Sequence, residues 1–269
     1  MNILHRPTQN QLLAAIPAAV LERLIPHLEL IEMPLGQVLY QADVPIEYVL
    51  FPTTSVVSLL YVLENGTSAE IAIVGNEGII GISLFMGGES TSSQAIVQRA
   101  GFGYRLKAEY LKEEFSRAGP FLRLLLRYTQ ALITQMTQTA VCNRHHSIEQ
   151  QFCRWLLLSL DRIPVLSINM TQGLIANMLG IRKDKVGGAT EKLEKLGIID
   201  YHQGRINVLN RVKLEGRACE CYLVVKQEYQ RLLNDMHQTP SSDQLASDNM
   251  TKPDSEQLKD HPLPLQTRH

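Results

Sequence analysis

Short apolar runs separated by turn-forming residues occupy about residues 30–106. Turn signals such as Glu64-Asn65-Gly66 and Gly75-Asn76-Glu77-Gly78 stand between these runs. Runs of this kind, bounded by Gly, Asn and Pro, predict β-strands. The predicted strands cover residues 38–41, 48–51, 55–63, 68–73, 93–98 and 101–106. Many short strands with regular turns predict a sandwich or a barrel-like roll.

Apolar residues at helical spacing flank the strand segment on both sides. Short amphipathic helices are predicted around Pro17 and Pro26, and a last helix is predicted over residues 214–233. Further helices are predicted over residues 109–116, 120–144 and 147–160. From residue 234 the chain is polar and rich in Pro, Ser, Asp and Gln, so we predict a disordered tail there.

The predicted helix over residues 120–144 is apolar on two neighbouring sides. One stripe consists of Phe121, Leu125, Tyr128 and Leu132, and the adjacent stripe of Leu122, Leu126, Ile133, Met136 and Ala140. Such a helix can pack on its own domain and on a partner helix together. We therefore predict a dimer helix, with an interface formed by Leu125, Tyr128, Leu132, Ile133 and Met136. The alternative is a helix buried wholly within one protomer.

The pattern over residues 170–197 predicts two short helices joined by a tight turn. Thr171 is suited to cap the first helix with its hydroxyl, and Gly180 to end it in the left-handed conformation. The apolar face of this helix consists of Leu174, Ile175, Met178 and Leu179. The second helix is predicted over residues 183–195, with inward positions at Val186, Ala189, Thr190, Leu193 and Leu196. Its outward positions are Lys183, Asp184, Gly187, Gly188, Glu191 and Lys192.

A strand–turn–strand pattern follows the helix pair and predicts a wing. The first strand contains Ile198, Ile199 and Tyr201, the turn covers residues 202–205, and the return strand contains Ile206, Val208 and Leu209. Because an α-helix fits the major groove, the first turn of the second helix is expected to reach base edges. Arg205 at the wing tip is expected to meet a phosphate. The alternative is a small helical subdomain that binds no nucleic acid.

The charge of the chain is unevenly distributed. The net charge is −1. Residues 147–233 nevertheless carry 13 Lys and Arg against 9 Asp and Glu, whereas the segments before and after them are net negative. Contact with phosphates requires positive charge, and the positive segment is the one that holds the predicted helix pair.

Length and composition narrow the class of protein. A chain of 269 residues suggests two domains, and its apolar fraction of 45% is ordinary for a globular protein. Its apolar runs are shorter than the ~20 residues that span a bilayer. Its first residues lack the succession of charged, apolar and cleavage regions of a signal peptide. The four cysteines lack the spacing of a disulfide framework. These features predict a cytoplasmic protein without a membrane partner.

The order of roll, long helix and wing resembles the Crp/Fnr family of bacterial transcription regulators over about residues 10–230. The residues that carry the likeness are Leu35-Gly36-Gln37, Cys142-Asn143 with His146, Arg154-Trp155-Leu156-Leu157 with Asp161-Arg162, the helix pair at 171–197, Tyr201, Gly204-Arg205-Ile206 and Ala218-Cys219-Glu220-Cys221-Tyr222.

The resemblance implies an α+β fold of three parts and a tail. A β-roll sensor domain of the cyclic-nucleotide-binding type, a double-stranded jelly roll, would cover residues 1–118, and a dimerisation helix residues 119–146. A winged helix-turn-helix domain would cover residues 147–233, followed by the tail at 234–269. The resemblance also implies a homodimer that reads near-palindromic double-stranded DNA, with RNA polymerase as a further partner.

The predicted DNA-binding residues lie on the helix pair and the wing. They are Thr171, Gln172, Arg182, Lys183, Asp184, Lys185, Gly188, Lys192, Gln203 and Arg205. Lys183, Asp184 and Gly188 stand where relatives often carry an Arg-Glu pair and a further Arg. The operator is therefore expected to differ from the familiar one.

The residues that would bind an effector in the predicted roll depart from the family pattern. Relatives that bind cyclic nucleotides carry a Gly-Glu pair and then an Arg-Ser/Thr pair, whereas here Gly81 precedes Ile82 and residues 91–94 contain no Arg. Cyclic AMP is therefore not expected, the effector is unknown, and no cofactor is predicted. The candidate ligand-binding residues are Gly81, Ser83, Ser92 and Ser93, for which ordinary turn residues are the alternative.

Neither a metal site nor an enzyme is predicted. An iron–sulfur cluster needs about four thiolates, usually closely grouped. Cys219 and Cys221 are expected to diverge in a helix, and His145 and His146 do not have a chelating spacing. The chain shows no phosphate loop, nucleophile elbow or metal-ligand cluster. The remaining alternative to a DNA-binding regulator is a sensor or interaction module whose winged helix binds protein.

Overall fold

The computed structural model describes residues 5–163 and 165–234. Two short helices, α1 (Gln11–Ala15) and α2 (Ala18–Leu24), precede seven strands. The strands are β1 (Glu29–Met33), β2 (Val38–Tyr40), β3 (Tyr48–Pro52), β4 (Val56–Val62), β5 (Ser68–Val74), β6 (Gln94–Arg99) and β7 (Gly101–Lys107). Three helices follow: α3 (Ala108–Ser116), α4 (Pro120–His145) and α5 (Ile148–Leu160). The remaining elements are β8 (Ser167–Asn169), α6 (Gln172–Leu179), α7 (Lys183–Lys195), β9 (Ile199–His202), β10 (Arg205–Val208), α8 (Arg211–Glu215) and α9 (Glu220–Asn234).

The first seven strands form two antiparallel sheets, in the orders β1-β7-β3 and β2-β6-β4-β5. This arrangement confirms the predicted β-roll and the α+β class. Strand β1 was not predicted, because Met33 alone among its residues is buried and the charged Glu29 and Glu32 interrupt the apolar pattern. Its pairing with β7, from Glu29 opposite Arg105 to Met33 opposite Gly101, makes it a strand.

The helix pair at 170–197 has the predicted bounds. The Thr171 hydroxyl accepts a hydrogen bond from the Leu174 backbone N–H (3.3 Å), and Gly180 ends α6 at a φ of 64°. The predicted inward positions of Leu174 and Leu196 are wrong, because both side chains are exposed at the ends of their helices. The wing has three strands, since β8 also pairs with β10, and Leu209 is exposed beyond it.

The predicted last helix over residues 214–233 is wrong, because the structure divides it into α8 and α9. The Asn210 side chain caps α8 by accepting from the Lys213 N–H (2.9 Å), and α8 stops before Gly216. The chain then leaves helical geometry before α9 begins at Glu220. The tail predicted to be disordered lies outside the described residues, apart from Asn234 at the end of α9.

The long helix α4 buries one of its two apolar stripes inside its own protomer. Leu125, Tyr128 and Leu132 are fully buried, and the Tyr128 hydroxyl donates to the Ile79 carbonyl (3.1 Å). These three side chains are therefore wrong as dimer contacts, because the protomer core already occupies them. Ile133 is 52% exposed, as is Leu126. Within the described ranges, no helix is both long and apolar enough to cross a bilayer.

A buried ion pair joins the roll to the end of α5. Arg162 Nε donates to Glu77 Oε1 (2.7 Å), and the two side chains are only 5% and 12% exposed. Arg162 also donates to Gln135 Oε1 of α4 (3.1 Å) and to the Leu158 carbonyl (2.6 Å). The sequence suggested only a turn carboxylate at Glu77. The structure instead makes Glu77 the partner of a buried cation.

We expect Glu77→Gln to lower the free energy of unfolding by about 3–5 kcal/mol, because it leaves the buried Arg162 charge without a counter-charge. Urea denaturation measures this change. The exposed pair Arg105–Glu29 provides the control, and Glu29→Gln is expected to leave the urea midpoint unchanged. Equal effects of the two substitutions would contradict the assigned role of Glu77.

A second buried carboxylate lies on β5. Glu70 accepts a hydrogen bond from the Ser58 hydroxyl (2.5 Å) and is almost fully buried. Burial raises the pKa of the Glu70 carboxyl from 4.5 to about 7, because the charged form loses its hydration. The folded state therefore holds a proton on Glu70 more tightly than the unfolded chain does.

Because the pKa of Glu70 is raised on folding, stability is expected to fall as the pH rises from about 4.5 through about 7. The full shift corresponds to a cost of about 3 kcal/mol above pH 7. Glu70→Gln is expected to remove this loss, so thermal unfolding at pH 8 should occur at a higher temperature than in the wild type. Glu64→Gln, on the exposed turn after β4, is the matched control. A wild-type melting temperature that follows that of Glu70→Gln at every pH would refute the cost assigned to Glu70.

Candidate nucleic-acid interface

The first turn of α7 is basic and exposed. Arg182 occupies the N-cap position, and Lys183 and Lys185 follow it in the first turn. Arg182 Nε donates to the Asp184 carboxylate (3.0 Å), which holds that acidic side chain beside the cap. Val186, Ala189, Thr190 and Leu193 are buried on the other side of the helix. The inner face of α7 is thus packed against the protein, whereas its N-terminal turn is exposed to solvent.

Helices α5 and α6 support α7 from behind. Gln172, at the start of α6, donates from its side-chain Nε2 to the Thr190 hydroxyl of α7 (3.4 Å). Its backbone N–H donates to the Tyr201 hydroxyl of the wing (3.0 Å). Gln172 therefore ties α6, α7 and the wing together, and Thr171 beside it is exposed. Helix α6 also packs against β5 of the roll.

The two glycines of α7 lie next to the basic turn. A Cβ added to Gly188 would meet no atom within 4 Å, and one added to Gly187 would make ordinary contacts with Gln172 at 3.8 Å. Packing within the protomer therefore does not require glycine at either position. A glycine on an exposed helix face lets another molecule approach the backbone closely.

Two other predicted DNA-binding residues, Lys192 and Arg205, bind partners within the protomer, and a third, Gln203, is exposed. Lys192 forms an ion pair with Glu149 of α5 (2.5 Å). Arg205 donates to Asn207 Oδ1 (3.1 Å) and to the Ser167 hydroxyl (3.3 Å), so it lies along the wing sheet. Gln203 is exposed at the wing tip with a φ of 49°, followed by Gly204 at 78°.

Both the helix-turn-helix segment and the overall fold are similar to those of known proteins. The profile of the Crp-like helix-turn-helix domain matches residues 150–217. FixK2 from Bradyrhizobium japonicum superimposes with a TM-score of 0.60 at 19% identity, covering 71% of this chain and 98% of that one. A protein from Eubacterium rectale assigned to the Crp/Fnr family gives a TM-score of 0.63 at 13% identity, covering 78% and 98% of the two chains.

The chain has a Crp-like helix-turn-helix domain and shares the fold of Crp/Fnr-family structures. The family resemblance of the sequence is thereby confirmed. A third similar structure is CLP from Xanthomonas campestris, described as a c-di-GMP-responsive global regulator, with a TM-score of 0.58, 14% identity and coverage of 71% and 99%. No curated protein matches the chain by sequence. The comparisons therefore show a Crp-like helix-turn-helix domain at residues 150–217 within a Crp/Fnr-like fold.

The candidate effector residues of the roll are largely engaged with their neighbours. The Ser92 hydroxyl is within hydrogen-bond distance of the Tyr61 hydroxyl (2.6 Å), and that of Ser93 is 3.2 Å from Thr91 Oγ1. Gly81 has a φ of 95° and begins a short 3₁₀ turn that contains Ser83. The Ser83 hydroxyl is buried without a hydrogen-bond partner among the described residues. Ligand binding by these four residues stays a prediction.

A cleft of about 960 Å³ lies away from those residues. Its lining includes Thr54 and Arg99 of the roll together with Asp161, Arg162 and Ile163 after α5. The Arg99 guanidinium donates to the Thr54 carbonyl (2.6 Å). The sequence did not indicate this cleft, because residues far apart along the chain form its walls.

Sequence reasoning also missed a cluster of three cysteines and a histidine. Cys142, His146, Cys219 and Cys221 place their ligand atoms within 4.8 Å of one another. The expectation that Cys219 and Cys221 diverge in a helix is wrong, because Cys219 precedes α9 and only Cys221 lies within it. The hydrogen bond between Cys142 and Cys219 lowers the pKa of the Cys219 thiol, because it favours the thiolate. One feature of the sequence did indicate this cluster. Cys142 and His146 are four residues apart at a helix end, a spacing that places two side chains on the same face.

Proposed function

We propose that this Crp/Fnr-type protein is a homodimeric transcription regulator that inserts α7 into the major groove of double-stranded DNA. The observation that carries the proposal is the exposed basic turn formed by Arg182, Lys183 and Lys185. A helix N-terminus also attracts phosphate through its free N–H groups and its dipole. The match of residues 150–217 to the Crp-like helix-turn-helix domain supports the same surface.

Within this surface we assign different tasks to different residues. Lys183 and Asp184 are the candidates for base contact, since Lys suits guanine and Asp accepts from the cytosine amino group. Arg182 and Lys185 suit phosphates, as do Thr171 and Gln203 at the edges of the surface. Gly188 contributes close approach in place of a side-chain contact. Lys192 and Arg205 would have to exchange their present partners for DNA.

The dimer contact that the structure favours is the exposed stripe of α4. Leu126 and Ile133 are seven residues apart and each about half exposed, with Ala140 exposed one heptad further along. Apolar residues repeating every seven positions form the seam of two packed helices. Met136, half-buried, borders this stripe. A two-fold dimer would present two α7 helices to a near-palindromic site.

We keep the division into a sensor roll (1–118), a dimerisation helix (119–146) and a DNA-binding domain (147–233) as part of this proposal. The regulator acts by binding, so we assign it no catalytic step. The cytoplasm is the proposed compartment, because the DNA partner lies there. RNA polymerase is retained as the proposed further partner of an activator.

The DNA surface is tested with the double variant Lys183→Ala/Lys185→Ala and with DNA duplexes selected from a random pool by the wild-type protein. Binding is followed by fluorescence anisotropy at several salt concentrations. We expect the affinity to fall at least about tenfold and the salt slope to decrease by about one for each phosphate that the variant no longer neutralises. Lys195→Ala, which removes one positive charge from the last turn of α7, is expected to change neither quantity.

Unchanged affinity in the double variant would overturn the assigned DNA surface. The second candidate function is a module whose winged helix binds protein, which the internal pairing of Lys192 and Arg205 favours. A wild-type chain that selects no duplex at low salt would support that candidate and refute the proposal.

The dimer contact is tested with Leu126→Glu and Ile133→Glu. A carboxylate placed in an apolar helix seam is expected to convert the dimer to a monomer, because burying the charge costs more than the contact provides. Sedimentation equilibrium measures the mass. Val212→Glu introduces the same charge at an exposed apolar residue of α8 and is expected to leave the mass unchanged. A dimer that survives both α4 substitutions would exclude this stripe as the interface.

A further inference from the structure

Three cysteines and one histidine converge where the end of α4 meets the start of α9. Cys142 lies in the last turn of α4, and His146 follows that helix as its C-cap residue. The Cys142 and Cys219 sulfurs are 3.5 Å apart, and the Cys221 sulfur is 3.6 Å from His146 Nδ1. All three cysteines are buried, and His146 is half-buried. The four side chains therefore converge on one small enclosed volume.

We propose that Cys142, His146, Cys219 and Cys221 bind one Zn²⁺ in a structural Cys₃His site. Zinc in such sites is tetrahedral, with Zn–S distances of about 2.3 Å and Zn–N distances of about 2.0–2.1 Å. Ligands at these distances lie roughly 3.5–3.8 Å from each other at the corners of a tetrahedron. The two separations above fall in this range, and all four ligand atoms lie within 4.8 Å of one another. Small side-chain movements are enough to close such a site.

The ligand set favours zinc over the other common divalent ions. Thiolates are soft ligands that select zinc or copper(I), whereas magnesium and calcium prefer oxygen. Three sulfurs with one imidazole leave no open position on a tetrahedral ion, which is the pattern of a structural site.

The surroundings of His146 suit a metal ligand. Its Nδ1 faces Cys221, and its Nε2 lies 3.3 Å from the Glu220 carboxylate. A histidine that binds zinc through one nitrogen usually donates its other N–H to a carboxylate, which fixes the ring and its tautomer. Glu220 is therefore placed as the positioning residue for His146.

A buried cation next to the cluster balances the charge of the loaded site. Three thiolates and one Zn²⁺ carry a net charge of −1. Arg154 is buried, donates to the Thr139 hydroxyl (3.1 Å), and acts electrostatically on Cys142 and Cys221. Its Nε has no hydrogen-bond partner among the described residues. Arg154 also acts electrostatically on Glu70, and the zinc-bound thiolates supply a further counter-charge to this buried guanidinium.

The proposal is tested on the full chain, purified under reducing conditions without added DNA, so that the outcome is independent of DNA binding. Elemental analysis is expected to find about one zinc per chain. After exchange with Co²⁺, the protein is expected to show the thiolate-to-cobalt charge-transfer and ligand-field absorption of a tetrahedral thiolate site. A reduced wild-type chain that neither retains zinc nor gives this cobalt spectrum would overturn the proposal.

Cys142→Ser and Cys219→Ser are each expected to lower the zinc content at least tenfold. Cys153→Ala, at a buried cysteine outside the four-residue cluster, is the matched control and is expected to retain zinc. Equal loss of zinc in all three variants would refute the ligand assignment. A Cys142–Cys219 disulfide that persists in the freshly purified chain despite the reducing conditions would refute it too.

Glu220→Gln tests the site even if the cysteine variants do not fold. Glu220 is exposed and its side chain is not a ligand, so the substitution is expected to leave the fold intact. It is expected to weaken zinc binding about tenfold, because the carboxylate no longer orients His146. Competition with a chromophoric zinc chelator measures this affinity. Circular dichroism is expected to show the wild-type helix content. Unchanged zinc affinity would remove Glu220 from its assigned role and contradict the site geometry at His146.

Discussion

The ion pair between Glu77 and Arg162 is the contact on which the arrangement of this protein depends. Glu77 belongs to the turn after β5, Arg162 follows α5, and Gln135 of α4 accepts from the same guanidinium. One buried cation thus holds the roll, the long helix and the helix-turn-helix part together. The backbone at Gly75 is part of this constraint, because a Cβ there would lie 2.7 Å from Arg162 Cβ. The Gly75 N–H also donates to the Glu77 carboxylate (3.1 Å).

This arrangement determines which parts of the helix-turn-helix region are exposed to a partner. Helix α6 lies against β5, and α7 rests on α5 and α6. Glu149 of α5 holds Lys192 from α7 and Arg217 from the segment before α9. The C-terminal part of α7 is thereby tied to the body of the protein, whereas its basic N-terminal turn is exposed. The polarity of the helix therefore matches the geometry in which recognition helices present their first turn to DNA.

Most helices and strands could be predicted from the sequence, because capping residues and the spacing of apolar residues specify them locally. Thr171, Gly180 and the apolar positions of α7 act within a few residues, and the structure reproduces the predicted bounds of α7. Strand β1 was not predicted, since its pairing with β7 rather than an apolar pattern defines it.

The Glu77–Arg162 pair and the cysteine–histidine cluster were not predicted for a related reason. Their members lie 85 and up to 79 positions apart along the chain, and only the tertiary fold brings them together. The Ile133 position on α4 was predicted as a surface contact, but three of its predicted companions are core residues.

The antiparallel packing of α9 on α4 also has a consequence for the order of assembly. Cys142 meets Cys219 near one end of this contact, and Gln130 meets Glu228 further along it. During synthesis from the N-terminus, the roll and α4 are complete while the segment that covers α4 has not yet left the ribosome. The face of α4 that α9 will cover therefore has no partner from α9 while the helix-turn-helix is being translated. Closing so long a loop costs only a little more entropy than closing a short one. Among the helices that the structure describes, α9 is thus the last to be made, and it covers a face of α4 that formed earlier.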